Sequence, residues 1–141
     1  MTKMIFVNLP VADVAASTAF YEAIGMVKNA QFSNAQASAM NWSDTIHFML
    51  LDHAFYAGFT PKQIIDAHTT SGALLALGLD SRAEVDAITD AAIAAGGGEP
   101  HPPEDHGFMY SRAFTDPDGH GFGPFWMDTA AGPGATADAA A

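Results

Sequence analysis

The chain has 141 residues, a formal net charge of −11 and only five Lys and Arg residues, and this balance excludes nucleic acid, whose phosphates need clustered cations. It has no cysteine, which excludes disulfides, thiolate metal sites and cysteine nucleophiles. Its 49% apolar content can fill the core of one domain or of two small fused modules, with no apolar run of the roughly 18–20 residues that cross a membrane.

Residues 4–9 (Met-Ile-Phe-Val-Asn-Leu) read as a mostly buried strand. The N-terminus enters that strand without a signal-peptide pattern, so a cytoplasmic location with no membrane partner is expected. Asp13 is a helix N-cap, Val14, Phe20, Tyr21 and Ile24 make an apolar stripe at helical spacing, and Gly25 stops the helix. Strands are expected over 26–29, 37–42 and 45–51, with a turn at 41–44. The excursion 55–70 has Pro61 at an expected helix start.

Residues 73–79 form the next strand. Ser81-Arg-Ala-Glu84 is a capping box; Val85, Ile88, Ala92 and Ala95 make the buried stripe behind it, and Gly96-Gly-Gly98 ends it. Because that glycine run follows a helix instead of opening one, it is a helix stop and not a phosphate loop. Residues 109–114 and 122–126 are the closing strands. Between them Asp116-Pro-Asp-Gly119 makes a turn, each residue for its own reason: φ fixed by Pro, side-chain acceptors from Asp, φ freedom from Gly. Residues 129–141 hold almost nothing but Ala, Gly, Thr, Pro and Asp, a composition too poor in apolar side chains to pack.

Strand, capped helix, glycine stop and several strands thus occur twice, starting near Met4 and near Ala73. The pattern predicts an α+β fold of two βαβββ modules, about 3–60 and about 72–128, forming a cupped mixed sheet in a single domain over 1–128.

Phe114-Thr-Asp-Pro-Asp-Gly-His120, the doubled βαβββ order and Phe20-Tyr21 ahead of Gly25-Met26 together resemble the vicinal-oxygen-chelate superfamily, the glyoxalase and bleomycin-resistance fold. His47-Phe-Met-Leu-Leu51, Ser81-Arg-Ala-Glu-Val-Asp86, Ala94-Ala-Gly-Gly97 and Gly107-Phe-Met-Tyr110 are similar to a bacterial glyoxalase-like subgroup. The resemblance covers residues 4–128. It implies a homodimer built by pairing modules across chains, and a cup in which four strands present histidine and glutamate metal ligands. Carried over position by position, those ligands fall at Phe6, at His47 or Met49, at Leu74 and at Gly123. Only His47 can hold a divalent cation, and catalytic metal sites normally use about three protein ligands. No metal and no other cofactor is therefore expected.

With the metal set gone, the expected cavity is apolar and aromatic and takes a small organic molecule. Phe6, Met49, Leu74, Phe108, Phe125 and Trp126 are its candidate walls. Asn8, His47, Tyr110 and Arg112 are its candidate polar groups, with Arg112 alternatively paired to the many carboxylates. His47 and Tyr110 are the candidate acid–base groups. The resulting expectation is a metal-independent glyoxalase-like protein. The alternatives are a lyase or isomerase of changed chemistry, or a drug-binding resistance protein of the bleomycin type. His101-Pro-Pro-Glu-Asp-His106 adds two histidines and two carboxylates in what reads as a loop, a displaced metal site if His47 reaches it. His120 and the two turn aspartates, Asp116 and Asp118, are expected to serve the turn.

Overall fold

Asp13 opens the first helix because its Oδ1 accepts the Ala16 N–H at 3.1 Å while its backbone stays extended. In this computed structural model, which describes residues 2–131, β1 (Ile5–Val11) leads into α1 (Val14–Ala23). Gly25, at φ +104°, ends the helix in the left-handed region. β2 (Val27–Lys28), β3 (Ala37–Asn41) and β4 (Ile46–Asp52) complete the first module. Its sheet runs β1-β4-β3-β2, with β1 and β4 parallel.

The expected helix at Pro61 lies elsewhere. Helix α2 (His53–Ala57) precedes it, capped by Asp52, which accepts the Phe55 N–H at 2.7 Å. Ahead of Pro61, the Thr60 hydroxyl accepts from Lys62 N two residues on (3.2 Å). That is a local turn that competes with a helix instead of capping one. Residues 58–73 are turns and irregular chain.

The second module repeats the plan with β5 (Leu74–Gly78), α3 (Arg82–Ala94), β6 (Glu104–Asp105), β7 (Met109–Ser111), β8 (Phe114–Thr115) and β9 (Gly121–Met127). Its sheet runs β5-β9-β7-β6, with β8 also on β9 and β5 parallel to β9. Ser81 caps α3 by accepting from Glu84 N (3.1 Å), while the Glu84 carboxylate returns to Asp80 N (2.8 Å). The strand expected over 109–114 is split. Arg112 N donates to Pro124 O at 3.0 Å, but Pro124 has no N–H to return, so the ladder lapses there. The chain is thus an α+β protein of two βαβββ modules, each with its own mixed sheet.

The two modules share one core. Side chains alternate along a strand, and the helix-side set of β4 meets that of β9 directly, with the Phe48 and Phe122 rings 5.9 Å apart. Tyr21 of α1 sits 5.9 Å from Phe122, and Phe20 6.2 Å from Phe114. The helices flank this contact. The opposite faces of the two sheets therefore point away from each other within one chain.

A buried polar latch fixes the packing. Tyr21 OH donates to Asp116 Oδ2 at 2.6 Å, and Asp116 Oδ1 accepts from Asp118 N and His120 N at 3.0 and 2.8 Å. Asp118 Oδ1 accepts Ala12 N (2.8 Å), and His120 Nε2–H donates to Pro10 O (2.7 Å). The closing turn of module two is thereby tied to the strand–helix junction of module one, a structural duty for all three turn residues. Burial pushes the Asp116 carboxyl above its usual range, against the pull of the Tyr21 bond, and burial raises the Tyr21 phenol as well.

Tyr21→Phe should cost about 1–3 kcal/mol in urea unfolding, because a buried carboxylate loses a donor; an unchanged midpoint would show that the latch is idle. The sign with pH follows from the raised Asp116 value. Stability tied to this carboxyl is fully present below the unfolded value near ~4 and is lost as pH rises through the higher folded value. A carbon-detected NMR titration of Asp116 should find that higher value.

Candidate ligand-binding site

The face of the first sheet opposite the core carries Phe6 and Asn8 on β1, paired in register with His47 and Met49 on β4. Phe6 is 53% exposed, and its ring stacks on the His47 imidazole at 4.6 Å and 18°. Asn41, the cross-strand neighbour of His47 on β3, accepts from His47 Nδ1–H through Oδ1 at 2.6 Å. This bond places the proton on Nδ1 and the lone pair on Nε2. Nε2 is buried and has no hydrogen-bond partner among the described residues. Asn41 was not among the expected site residues. The sequence placed it in the 41–44 turn, whereas counting two residues per repeat back across the hairpin would have set it opposite His47.

The second sheet presents Leu74, 78% exposed, opposite Gly121, and Gly123 opposite Ala76. Phe125 lies opposite Gly78, its ring so close that a Cβ on Gly78 would meet Cζ at 3.3 Å. The four positions where the resemblance puts metal ligands thus fall two on each sheet, Phe6 and His47 in register on the first and Leu74 and Gly123 two residues out of register on the second, on faces separated by the core. Phe6, Leu74 and Gly123 offer no donor atom, and the ring of Phe6 lies against the only imidazole. Among the described residues no group of three or more His, Asp or Glu could hold a metal ion. This donor set does not fit a divalent cation.

Tyr110, Arg112 and Trp126, expected on the cavity wall, lie on the α3 side of their sheet. Tyr110 OH donates to Asp86 Oδ1 at 2.7 Å, and that bond, with burial second, raises the phenol. Arg112 is the hub of an ionic cluster: it reaches Asp86 (3.1 Å), Asp90 (3.0 Å) and Glu99 (3.0 Å). The guanidinium of Arg82 lies over both Tyr110 and Trp126, at 5.2 and 5.1 Å from their ring centres. These side chains clamp α3 to the sheet. The reason is two carboxylates on α3, Asp86 and Asp90, joined by Glu99 beyond its end: three acids within reach of a single arginine outcompete an open apolar wall for it. Phe108 is half-buried beside His106, 6.4 Å between rings.

The loop 101–106 does not meet His47. It lies with the second sheet, where Glu104–Asp105 forms the edge strand β6. Asp105 receives both Arg82 nitrogens, at 2.7 and 3.0 Å, and these bonds, helped by Gly107 N–H, hold its carboxyl down at about 2. His101 Nδ1–H turns to Pro102 O (3.0 Å), and His106 Nε2 stands 3.7 Å from Glu104.

Paired βαβββ modules, with the mapped positions on their first and last strands, define a vicinal-oxygen-chelate architecture. The profile of the Glyoxalase/Bleomycin resistance protein/Dioxygenase superfamily matches residues 3–123, and the chain belongs to that superfamily. Among solved structures it is similar to a hypothetical protein from S. aureus, with 23% identity over 89% of this chain and 94% of that one, at a TM-score of 0.74. A glyoxalase/bleomycin resistance protein/dioxygenase family enzyme from Burkholderia phytofirmans shares 20% identity over 89% and 99%, TM-score 0.73. A bleomycin resistance determinant encoded on the transposon Tn5 shares 23% over 90% and 99%, TM-score 0.62. At these identities the likeness is one of fold. No curated protein matches the chain.

Arg112→Met should lower the melting temperature, since about 1–3 kcal/mol of charge-assisted bonding is lost and three carboxylates are left to repel one another. The same change should leave the amide resonances of Phe6, Asn8 and His47 in place; movement there would return Arg112 to the ligand face.

Proposed function

We propose that the protein is a metal-independent glyoxalase-like dimer whose ligand is a small, largely apolar organic molecule. Each cavity would be completed by the first sheet of one copy and the second sheet of another. The observation that carries this reading is the Phe6–His47 stack. Where the superfamily's metal-dependent sites use ligands, this chain has an aromatic sandwich that suits a flat or aliphatic ligand body. Exposed Phe6 and Leu74 support the dimer, because apolar surface of this kind is stabilised by cover.

A second reading, an isomerase or lyase, is favoured by one specific feature. With Nδ1–H engaged by Asn41, His47 Nε2 is left with a lone pair in an apolar setting; it is buried here, and would act as a general base toward a carbon acid whose binding opens that cover. Tyr110, committed to Asp86 on the α3 side, is left out of that role. Asn41 is then a positioning residue that holds the tautomer.

Elemental analysis of protein purified without chelator or affinity tag should find no stoichiometric metal, and nickel, zinc, manganese and iron should not raise the melting temperature. One metal per chain with clear stabilisation would overturn the reading. Light scattering should return the mass of a dimer, and Phe6→Glu should return a monomer. A wild-type monomer at every concentration would remove the two-copy cavity.

A further inference from the structure

Neither sheet is closed at the middle of the chain. Among the described residues β1 pairs only with β4, and β5 only with β9, so each leaves one edge unpaired there. A cavity of about 550 Å³ lies between these edges, bounded by residues 7–10, by Leu74 and Leu75, and by the turn 119–121. The connection from Tyr56 to Ala73 supplies most of its remaining wall. The volume suits a small ligand, for which sites of roughly 300–1,000 Å³ are usual. None of Phe6, His47, Met49, Gly123 or Phe125 lines it, but Asn8 and Leu74 do, so it adjoins the outward faces while excluding the Phe6–His47 stack.

The wall is seated, not merely draped. Gly119, at φ +92°, lies so close to the connection that a Cβ there would meet the Ala67 carbonyl carbon and His68 N at 2.7 Å. Asp66 organises the same stretch by accepting from His68 N (3.0 Å) through its side chain and from Thr70 Oγ1 (2.8 Å) through its carbonyl. At Gly72 a Cβ would meet Ile65 Cδ1 at 3.2 Å.

The electrostatics run against the rest of the molecule. In a chain of net charge −11, no Asp or Glu lines this cavity, and Lys62 is its one lysine or arginine. Lys62 makes no ion pair among the described residues, whereas Arg82 and Arg112 are both committed to carboxylates. Thr60, Gln63 and Ser71 add uncharged donors, while Leu9, Ile64, Ile65, Leu74 and Leu75 make the body of the wall apolar.

We propose that this inter-module cavity binds a small amphipathic monocarboxylate, with its carboxylate held by Lys62 and its hydrocarbon lying along Leu9, Ile64 and Leu75. An ammonium–carboxylate bond is charge-assisted, and the absence of acidic neighbours leaves it unopposed. The proposal does not depend on the outward-face reading.

The test uses sodium octanoate and 1-octanol with the full chain, followed by nitrogen–proton NMR shifts. Octanoate should move the amides of residues 7–9, 62–75 and 119–121, and leave those of Phe6 and His47 still. Lys62→Met, an exposed and fold-neutral change, should weaken octanoate about tenfold and spare octanol. Gly119→Ala, which pushes the connection off its seat, should weaken both. The proposal is overturned by absent octanoate shifts at millimolar concentration, by shifts confined to the Phe6–His47 face, or by equal octanoate affinity in wild type and Lys62→Met.

Discussion

Phe48 and Phe122 touch at 5.9 Å across the middle of the molecule, and most of the architecture follows from that contact. It brings the helix side of one sheet against the helix side of the other, so α1 and α3 can only stand at the flanks. Burying both helix sides in one core satisfies two small modules, neither of which has enough apolar surface to be stable alone. The cost is that the opposite faces, with Phe6 and Leu74 more than half exposed, have no cover within the chain. Tyr21 and Asp116 reinforce the same choice by binding the last hairpin to the first helix. The one buried carboxylate of the core region, Asp116 at 3% exposure, is tolerated because three donors converge on it.

Local chemistry was legible in the sequence. Asp13 and Ser81 cap helices because their oxygens reach backbone N–H groups three residues on, and no tertiary contact is needed to foresee that. The left-handed glycines at 25 and 96 and the turn around Asp116 follow the same logic. The doubled order of these signals was enough to imply two βαβββ modules. Tertiary choice was less legible. Alternation says that Tyr110 and Arg112 share a face, but not which face meets α3, since that depends on where Asp86, Asp90 and Glu99 end up. Ladder continuity past Arg112 failed for a reason that lies across the sheet, at Pro124. Pro61 was read as a helix start although the residue before it spends its hydroxyl on a turn, and the Asp52 cap lay between the strand read to 51 and the excursion read from 55.

His47 shows how far a residue pattern can go. That it is the one possible metal donor among four mapped positions can be read from the letters. That its Nδ1 proton is spent on Asn41, and its ring face on Phe6, requires the register of β1, β3 and β4. Those two contacts alter its chemistry. A metal-binding imidazole needs a free lone pair and converging partners; here the lone pair exists and the partners are replaced by hydrocarbon. The group that remains is suited to accepting a proton or to nothing at all, and its neighbours favour binding an apolar ligand body over polarising one.

Charge is distributed with the same economy. The described arginines are held by acids of α3, β6 and Glu99, which leaves the surface field of the chain strongly negative. Lys3, Lys28 and Lys62 have no carboxylate partner among the described residues, and of these only Lys62 lines the inter-module cavity. Lys62 stands beside an internal cavity with hydroxyl and amide groups around it and no acid in the wall. Long-range repulsion slows an anion's approach, and because Lys62 is exposed its pull is screened by water and acts at contact range. The cavity and the outward faces therefore differ in kind. The outward faces have stacking surface and an imidazole, and no Lys, Arg, Asp or Glu among their named residues. The cavity has one lysine and no acid in a largely apolar wall. The two surfaces offer different chemistry because the cavity wall leaves out the Phe6–His47 stack and adds Lys62.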